Sequence, residues 1–273
     1  MTYADALQKR FPGLDPQVDD LFLLEAHQIA GLPTRAPSRD LSAVWHAHSR
    51  VRRFFAARYP PIEAYLTQLL AEHDPADQKG LPDREAALLW EIADWIVYQR
   101  APHLYDERSD FDPGLGAITD VVALDGKVVL DVGAGTGQMA FAASRTARHV
   151  FAVEPVATLR RYMREKATQL RIDNLFVVDG TLDAVPFPSA WADVLLTRQA
   201  IGWNLAGELR EIERVLKPDG TAVHLVGTSH PATPDDDLHE QLVADGYHPG
   251  TYREGSTVKQ KYWKRFEAER GVG

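Results

Sequence analysis

Cysteine is absent from the chain. That removes disulfides, thiolate nucleophiles, iron–sulfur clusters and cysteine zinc sites together, and with them radical chemistry that starts at a cluster. There is no apolar run of about 18 residues and no signal-peptide pattern, so neither membrane nor secretion is indicated and a cytoplasmic enzyme is expected. Positive charge is in deficit: 30 Lys and Arg stand against 39 Asp and Glu, a formal net charge of −9. A polyanion-binding protein usually carries a basic footprint, so no nucleic-acid partner is expected. The densest basic cluster, Arg50, Arg52 and Arg53, suits the solvated face of an amphipathic helix. No internal repeat or low-complexity segment is present.

What the chain does contain is ordinary for a globular protein. Its 273 residues are 45% apolar and 25% charged, enough for one large domain or two small ones. The first hundred or so residues read as helices. Asp15 and Pro16 open a helix over VDDLFLLEAHQIA that stops at Gly31, and a Pro-rich linker, LPTRAPSRD, follows. Leu41, Val44, Trp45, Val51 and Phe55 keep one helical face, as do Ile62, Tyr65, Leu66 and Leu69, and then Leu88, Leu89, Ile92, Trp95 and Ile96. His46 and His48, two apart on a helix, point to nearly opposite sides and make a poor metal pair; no metal is expected. The turn-rich stretch HLYDERSDFDPGLG divides a helical region, residues 1–104, from a second domain, residues 105–273, with a short helix from Ile118 to Val122.

Strand and helix patterns alternate from Lys127 onward: KVVLDV, HVFAVEP, NLFVVDG, ADVLLTR and TAVHLVG are separated by helical segments. Such alternation implies a mostly parallel sheet with helices on both faces. After a helix near Asp235 to Ala244, the runs GYHPGTYRE and STVKQKYWKRF flank Gly255 as an antiparallel hairpin.

The chain is organised around VVLDVGAGTGQMA, residues 128–140, an apolar strand, an aspartate, three alternate glycines and a helix start. Gly133, Gly135 and Gly137 permit backbone conformations closed to other residues and let a ligand approach the main chain. Amides at the helix start would face a carboxylate or phosphate. The dinucleotide fingerprint G-x-G-x-x-G needs a third glycine where Gln138 stands, although Glu154 is an acid at the required distance. A nicotinamide-dependent oxidoreductase is therefore the weaker reading.

Asp131 followed by G-x-G-x-G fits without exception and resembles motif I of class I S-adenosylmethionine (SAM) methyltransferases. The resemblance implies a Rossmann-like seven-stranded sheet, SAM as cofactor and S-adenosylhomocysteine (SAH) as product. It places Asp131, Gly133, Ala134, Gly135 and Gly137 at the cofactor, with Glu154 and Pro155 ending the second strand and Glu154 accepting the ribose hydroxyls. VVDGTLDAVPFP resembles the G-D-A-E-x-L-P-F segment of the methyltransferase domain 11-like group, adding Gly180, Thr181 and Leu182, with Asp179 as a substitute adenine contact. LLTRQAIGWN resembles the Q-A-x-H-W segment of that group, which includes relatives of trans-aconitate methyltransferase; it adds Gln199 at the cofactor and Trp203 facing the substrate. Gly202 replaces the usual histidine. No N-P-P-Y tetrapeptide of the nucleic-acid enzymes is present.

The implied reaction is methyl transfer to an O, N or C nucleophile of a small molecule, driven chiefly by proximity and orientation. The catalytic residue is not identified, and His230, His103 and Tyr105 are weak candidates by position for an optional general base. In such enzymes the segment before motif I commonly forms part of a lid, so the helical region is expected to cover the site. A non-catalytic SAM-binding or protein-interaction module is the alternative, favoured by Gly202. The acceptor and the oligomeric state are not legible.

Overall fold

The computed structural model describes residues 3–72, 80–107, 115–227 and 236–267. The chain forms two compact units, Met1–Arg108 and Ser109–Gly273.

The first unit is helical: α1 Tyr3–Arg10, a 3-10 turn Val18–Leu23, α2 Ala26–Arg35, α3 Ser38–Ala47, α4 Ser49–Arg58, α5 Ile62–Glu72, α6 Leu81–Glu91, α7 Ala93–Arg100 and α8 Pro102–Glu107. The apolar faces read from the sequence meet in one core that includes Leu41, Trp45, Phe55, Leu66, Leu88 and Ile96. Three boundaries differ from expectation. The first long helix is two elements, because the Glu25 amide donates to Gln28 Oε1 at 2.9 Å and starts a new helix there. That helix passes through Gly31 and Pro33, so no proline-rich linker exists. The third difference is a break at His48, which leaves helical geometry with φ −118° and ψ 71°; its Nε2 is paired with Glu85 Oε1 at 2.6 Å.

The second unit opens with α9 Gly116–Thr119, two residues before the position expected. It continues as β1 Val128–Val132, α10 Gln138–Ala143, β2 His149–Val153, α11 Ala157–Gln169, β3 Leu175–Val178, β4 Ala192–Arg198, α12 Leu205–Val215, β5 Leu216–Val226, α13 Asp236–Ala244, β6 His248–Glu254 and β7 Thr257–Arg265. The strands form one seven-stranded sheet in the order β3-β2-β1-β4-β5-β7-β6. β1 to β5 are parallel and β7 is antiparallel to both β5 and β6. The Lys-Pro-Asp-Gly turn bulges out of the start of β5, with Asp219 at φ 65°.

Alternation along each strand gives the sheet two buried faces. Val129, Leu196, Val223 and Leu225 belong to one cluster, and Leu130, Val132, Leu195 and Ala222 to the other. The strand order reverses between β1 and β4, so the crevice beyond their carboxyl ends is where an open α/β sheet takes a ligand.

Candidate functional site

Gly133, Gly135 and Gly137 have φ of 73°, 59° and 84°, all in the left-handed region. The three positions need glycine for different reasons. A Cβ on Gly133 would collide with the Ala200 side chain, and one on Gly137 would lie 2.8 Å from Met163 Sδ. A Cβ on Gly135 would meet nothing within 4 Å, so the loop is open to a ligand there.

The loop amides are not free. Gly133 and Ala134 N–H both donate to the Val153 carbonyl, at 2.9 and 3.2 Å, and Gly137 N–H donates to the Ala134 carbonyl at 2.8 Å. Gly135 N–H donates to Glu154 Oε2 at 2.8 Å. These four amides tie the loop to the end of β2 and to itself, and its access comes from missing side chains.

Glu154 is buried at the end of β2. Its Oε1 accepts from Val156 N–H at 2.9 Å, and Arg160 holds both its backbone carbonyl, at 2.7 Å, and Asp179 Oδ1, at 2.9 Å. Burial pushes Glu154 up to about 7 despite these amides. Pro155 is half-buried beside it.

Asp131, 1% exposed, alternates with Val129 and therefore lies on the same sheet face. Neither of its carboxylate oxygens has a well-formed hydrogen bond among the described residues, although the Ala140 amide favours the charged form. Burial raises it to about 7 as well, with Glu154 adding repulsion and Arg198 opposing it. A buried carboxylate with unused acceptors is costly unless a donor arrives.

Beyond β3, Gly180 is a packing glycine, since a Cβ would come within 2.7 Å of Pro186 and 2.9 Å of Val153. Thr181 Oγ1 donates to Asp183 Oδ1 at 2.6 Å, Asn204 Nδ2 donates to Asp183 Oδ2 at 2.9 Å, and Leu182 turns its side chain into the core. Those two donors hold Asp183 below its ordinary range. This ties the loop after β3 to the loop after β4.

The loop after β4 is the other wall of the crevice. Gln199 adopts φ 55°, unusual for a residue with a side chain, and lies so close to Gly227 that a Cβ there would collide with it. Trp203 is 68% exposed, which is a surface position and not a core one. Gly202 has φ 106°, so a histidine in its place would be strained.

Glu208, which sequence reasoning missed, organises this loop. Buried in the first turn of α12, it accepts from the amides of Gly202 at 2.7 Å and of Trp203 and Asn204 at 3.0 Å. Its only signal was an acid in a helix's first turn, a commonplace feature.

The candidate bases are not brought to this crevice by any described contact. His230 lies outside the described residues. His103 and Tyr105 sit on α8 of the helical unit, and Tyr105 packs on Phe11, Tyr98 and Arg10 with centroid separations of 6.3, 4.8 and 5.2 Å. Among the described residues no group of three His, Asp or Glu could hold a metal ion, and no helix is long and apolar enough to cross a membrane.

Comparison with known proteins points the same way. Residues 130–224 match the family model described as a methyltransferase domain. Over 142 residues the chain is 28% identical to the uncharacterized methyltransferase YcgJ of Bacillus subtilis, covering 51% of this chain and 53% of that protein. Over 140 residues it is 31% identical to the cypemycin N-terminal methyltransferase of a Streptomyces species, covering 44% and 55%. The chain thus spans about half the length of these relatives. Among solved structures, a putative SAM-dependent methyltransferase of Methanococcus maripaludis superposes with a TM-score of 0.53 at 15% identity, covering 63% of this chain and 95% of that one. One from Aquifex aeolicus gives 0.50 at 20%, covering 57% and 90%.

Proposed function

We propose that this chain, which carries a class I SAM-dependent methyltransferase domain with SAM as its cofactor, transfers a methyl group to an O, N or C nucleophile of a small molecule. The observation that carries the reading is the pairing of two buried carboxylates around an open glycine loop at the sheet's reversal point. Asp131, with both oxygens lacking well-formed hydrogen bonds, suits an ammonium donor. Glu154, fixed by two amides yet with a second lone pair on each oxygen, suits the two hydroxyls of a ribose. The residues fit the cofactor.

When bound, SAM supplies an electrophilic methyl carbon on a sulfonium with a neutral thioether leaving group. The chain's own part is to orient and exclude. Gly135 leaves room for close approach, Ala134, Pro155, Thr181 and Leu182 line the neighbouring turns, and Gln199 and Trp203 stand on the β4 side. Because the leaving group needs no acid, positioning supplies most of the rate; well-oriented reactants reach effective molarities on the order of 10⁵ M or more. The acceptor's proton passes to solvent or to a base. We assign part of the acceptor choice to the helical unit.

Gly202 supports a second reading, a SAM-binding module without turnover. Release of SAH from SAM, measured by mass spectrometry over a panel of hydroxyl, amine and activated-carbon acceptors, separates the two. Acceptor-dependent SAH formation is expected. Tight SAH binding with no transfer to any member would favour the module.

A further inference from the structure

Helix α12 is fastened at both ends to loops beyond the sheet. In its first turn Glu208 accepts from the amides of Gly202, Trp203 and Asn204. Toward its other end Glu211 Oε2 accepts from Val185 N–H at 3.1 Å, and Arg214 donates to the carbonyls of Val185 and Phe187 at 3.0 and 2.7 Å. The loop after β3 and the loop after β4 are thereby rooted on one helix.

Each loop is also stiff in itself. Thr181 and Ala184 form an antiparallel bridge, closed by the Ala184 amide on the Thr181 carbonyl at 3.2 Å, and Leu182 is anchored in the core between them. Residues 202–204 share the single Glu208 carboxylate. Asp183 joins the two pieces. Its Oδ1 takes the Thr181 hydroxyl at 2.6 Å and its Oδ2 takes Asn204 Nδ2 at 2.9 Å, with its own amide contributing less.

Gly207 supports the same contact independently. It is the third residue of α12, a position where a helix ordinarily favours a side chain. A Cβ there would lie 2.6 Å from Asn204 Nδ2 and 3.0 Å from its Cγ. The missing methyl group leaves room for the Asn204 amide in the pose that reaches Asp183.

We propose that Asp183 and Asn204 are positioning residues for methyl transfer: through them, a cofactor held against residues 180–182 sets the acceptor loop, residues 202–204, before the acceptor arrives. This rests on the methyltransferase reading. Neither side chain touches a reacting atom. Asp183 acts through Thr181 and Asn204, and Glu208 carries the position on to the Trp203 amide. A ligand on one loop changes the other only through a contact that both share, so cofactor binding is felt at Trp203 while the tie holds.

The test uses the full chain labelled with fluorotryptophan, fluorine NMR to read Trp203, and SAH as the probe. The Trp203 line is identified by its loss in Trp203→Phe. In the parent it is expected to shift as SAH saturates the protein. In Asp183→Ala, Asn204→Ala and Gly207→Ala it should stay at its free position, while calorimetry finds SAH bound as in the parent. Gly207→Ala crowds the Asn204 amide and leaves both loops' side chains intact, so it carries the test where the other two fold poorly. Asp183→Asn should restore the shift, because its carbonyl accepts from Asn204 and its amide donates to the Thr181 hydroxyl.

A Trp203 line that still shifts fully in Asp183→Ala or Asn204→Ala, or one that does not shift in a parent chain that binds SAH, would overturn the coupling. So would loss of SAH affinity in Asp183→Ala but not in Asn204→Ala, which would place Asp183 on the cofactor itself. Failure of the parent chain to bind SAH would overturn the methyltransferase reading as well.

Discussion

The amide of Gly135 and the carboxylate of Glu154 are joined by a 2.8 Å hydrogen bond, so the middle of the glycine loop and the acid ending β2 move as one piece. A change at either is therefore felt at the other.

The glycines separate packing from access. Gly133→Ala drives a methyl group into Ala200 at φ 73°, combining overpacking with left-handed strain for a cost of about 2–4 kcal/mol. Gly135→Ala meets no atom at φ 59° and carries only the strain, about 1–2 kcal/mol. Thermal melts should rank Gly133→Ala well below Gly135→Ala, while calorimetry finds SAH affinity lost in both. Equal melting temperatures would show that Ala200 does not enforce the glycine.

Burial raises both Asp131 and Glu154 to about 7, from ordinary values of 3.8 and 4.5. Between those limits the folded apo protein holds more protons than the unfolded chain, so these groups favour folding at low pH and lose that contribution as pH rises through 7. The apo melting temperature of Asp131→Asn should therefore fall less steeply between pH 5 and 8 than that of the parent, whatever its starting level. Cofactor binding draws on the charged forms, so SAH affinity should weaken as pH drops below about 7, with proton release on binding near pH 6. A flat affinity over that range would contradict the roles given to the two acids.

Glu208 holds residues 202–204 through three amides. Glu208→Ala should cost about 1–3 kcal/mol of stability and slow methyl transfer on the order of tenfold, as a misplacement worth about 1.4 kcal/mol would. SAH affinity should change little, because the glycine loop keeps its own bonds. A turnover equal to the parent's would remove the β4 loop from acceptor positioning.

Gly202→His introduces the histidine of the Q-A-x-H-W segment that this loop resembles, but not the backbone it needs. At φ 106° a histidine carries about 1–2 kcal/mol of strain, so a lower melting temperature and no gain in turnover are expected. A faster enzyme would mean that the missing imidazole, and not the backbone, limits this site.

The sheet was legible because its strands are short apolar runs set off by glycines and helical periods, and the order of motifs fixed which ends matter. Other features depend on contacts that spacing does not encode. The restart at Glu25 and the break at His48 hide inside continuous apolar periodicity, where a capping side chain or a partner such as Glu85 decides the boundary. The bonding of the loop amides follows from where the β2 carbonyl of Val153 falls. Arg198 and Glu254, 56 residues apart, meet only because the hairpin's register carries its tip over the strand ends. Trp203 was expected to face the substrate, and neither its exposure nor the bond from its amide to Glu208 follows from spacing.

The most direct test of the central claim is isothermal titration calorimetry of the purified chain with SAM, SAH and NADH, repeated for Gly135→Val and Glu154→Ala. Binding of SAM and SAH, without NADH and strongly weakened in both variants, is the predicted result. Binding of NADH alone, or undiminished SAH binding in both variants, would contradict the assignment of this glycine loop and its acid to the methyl donor.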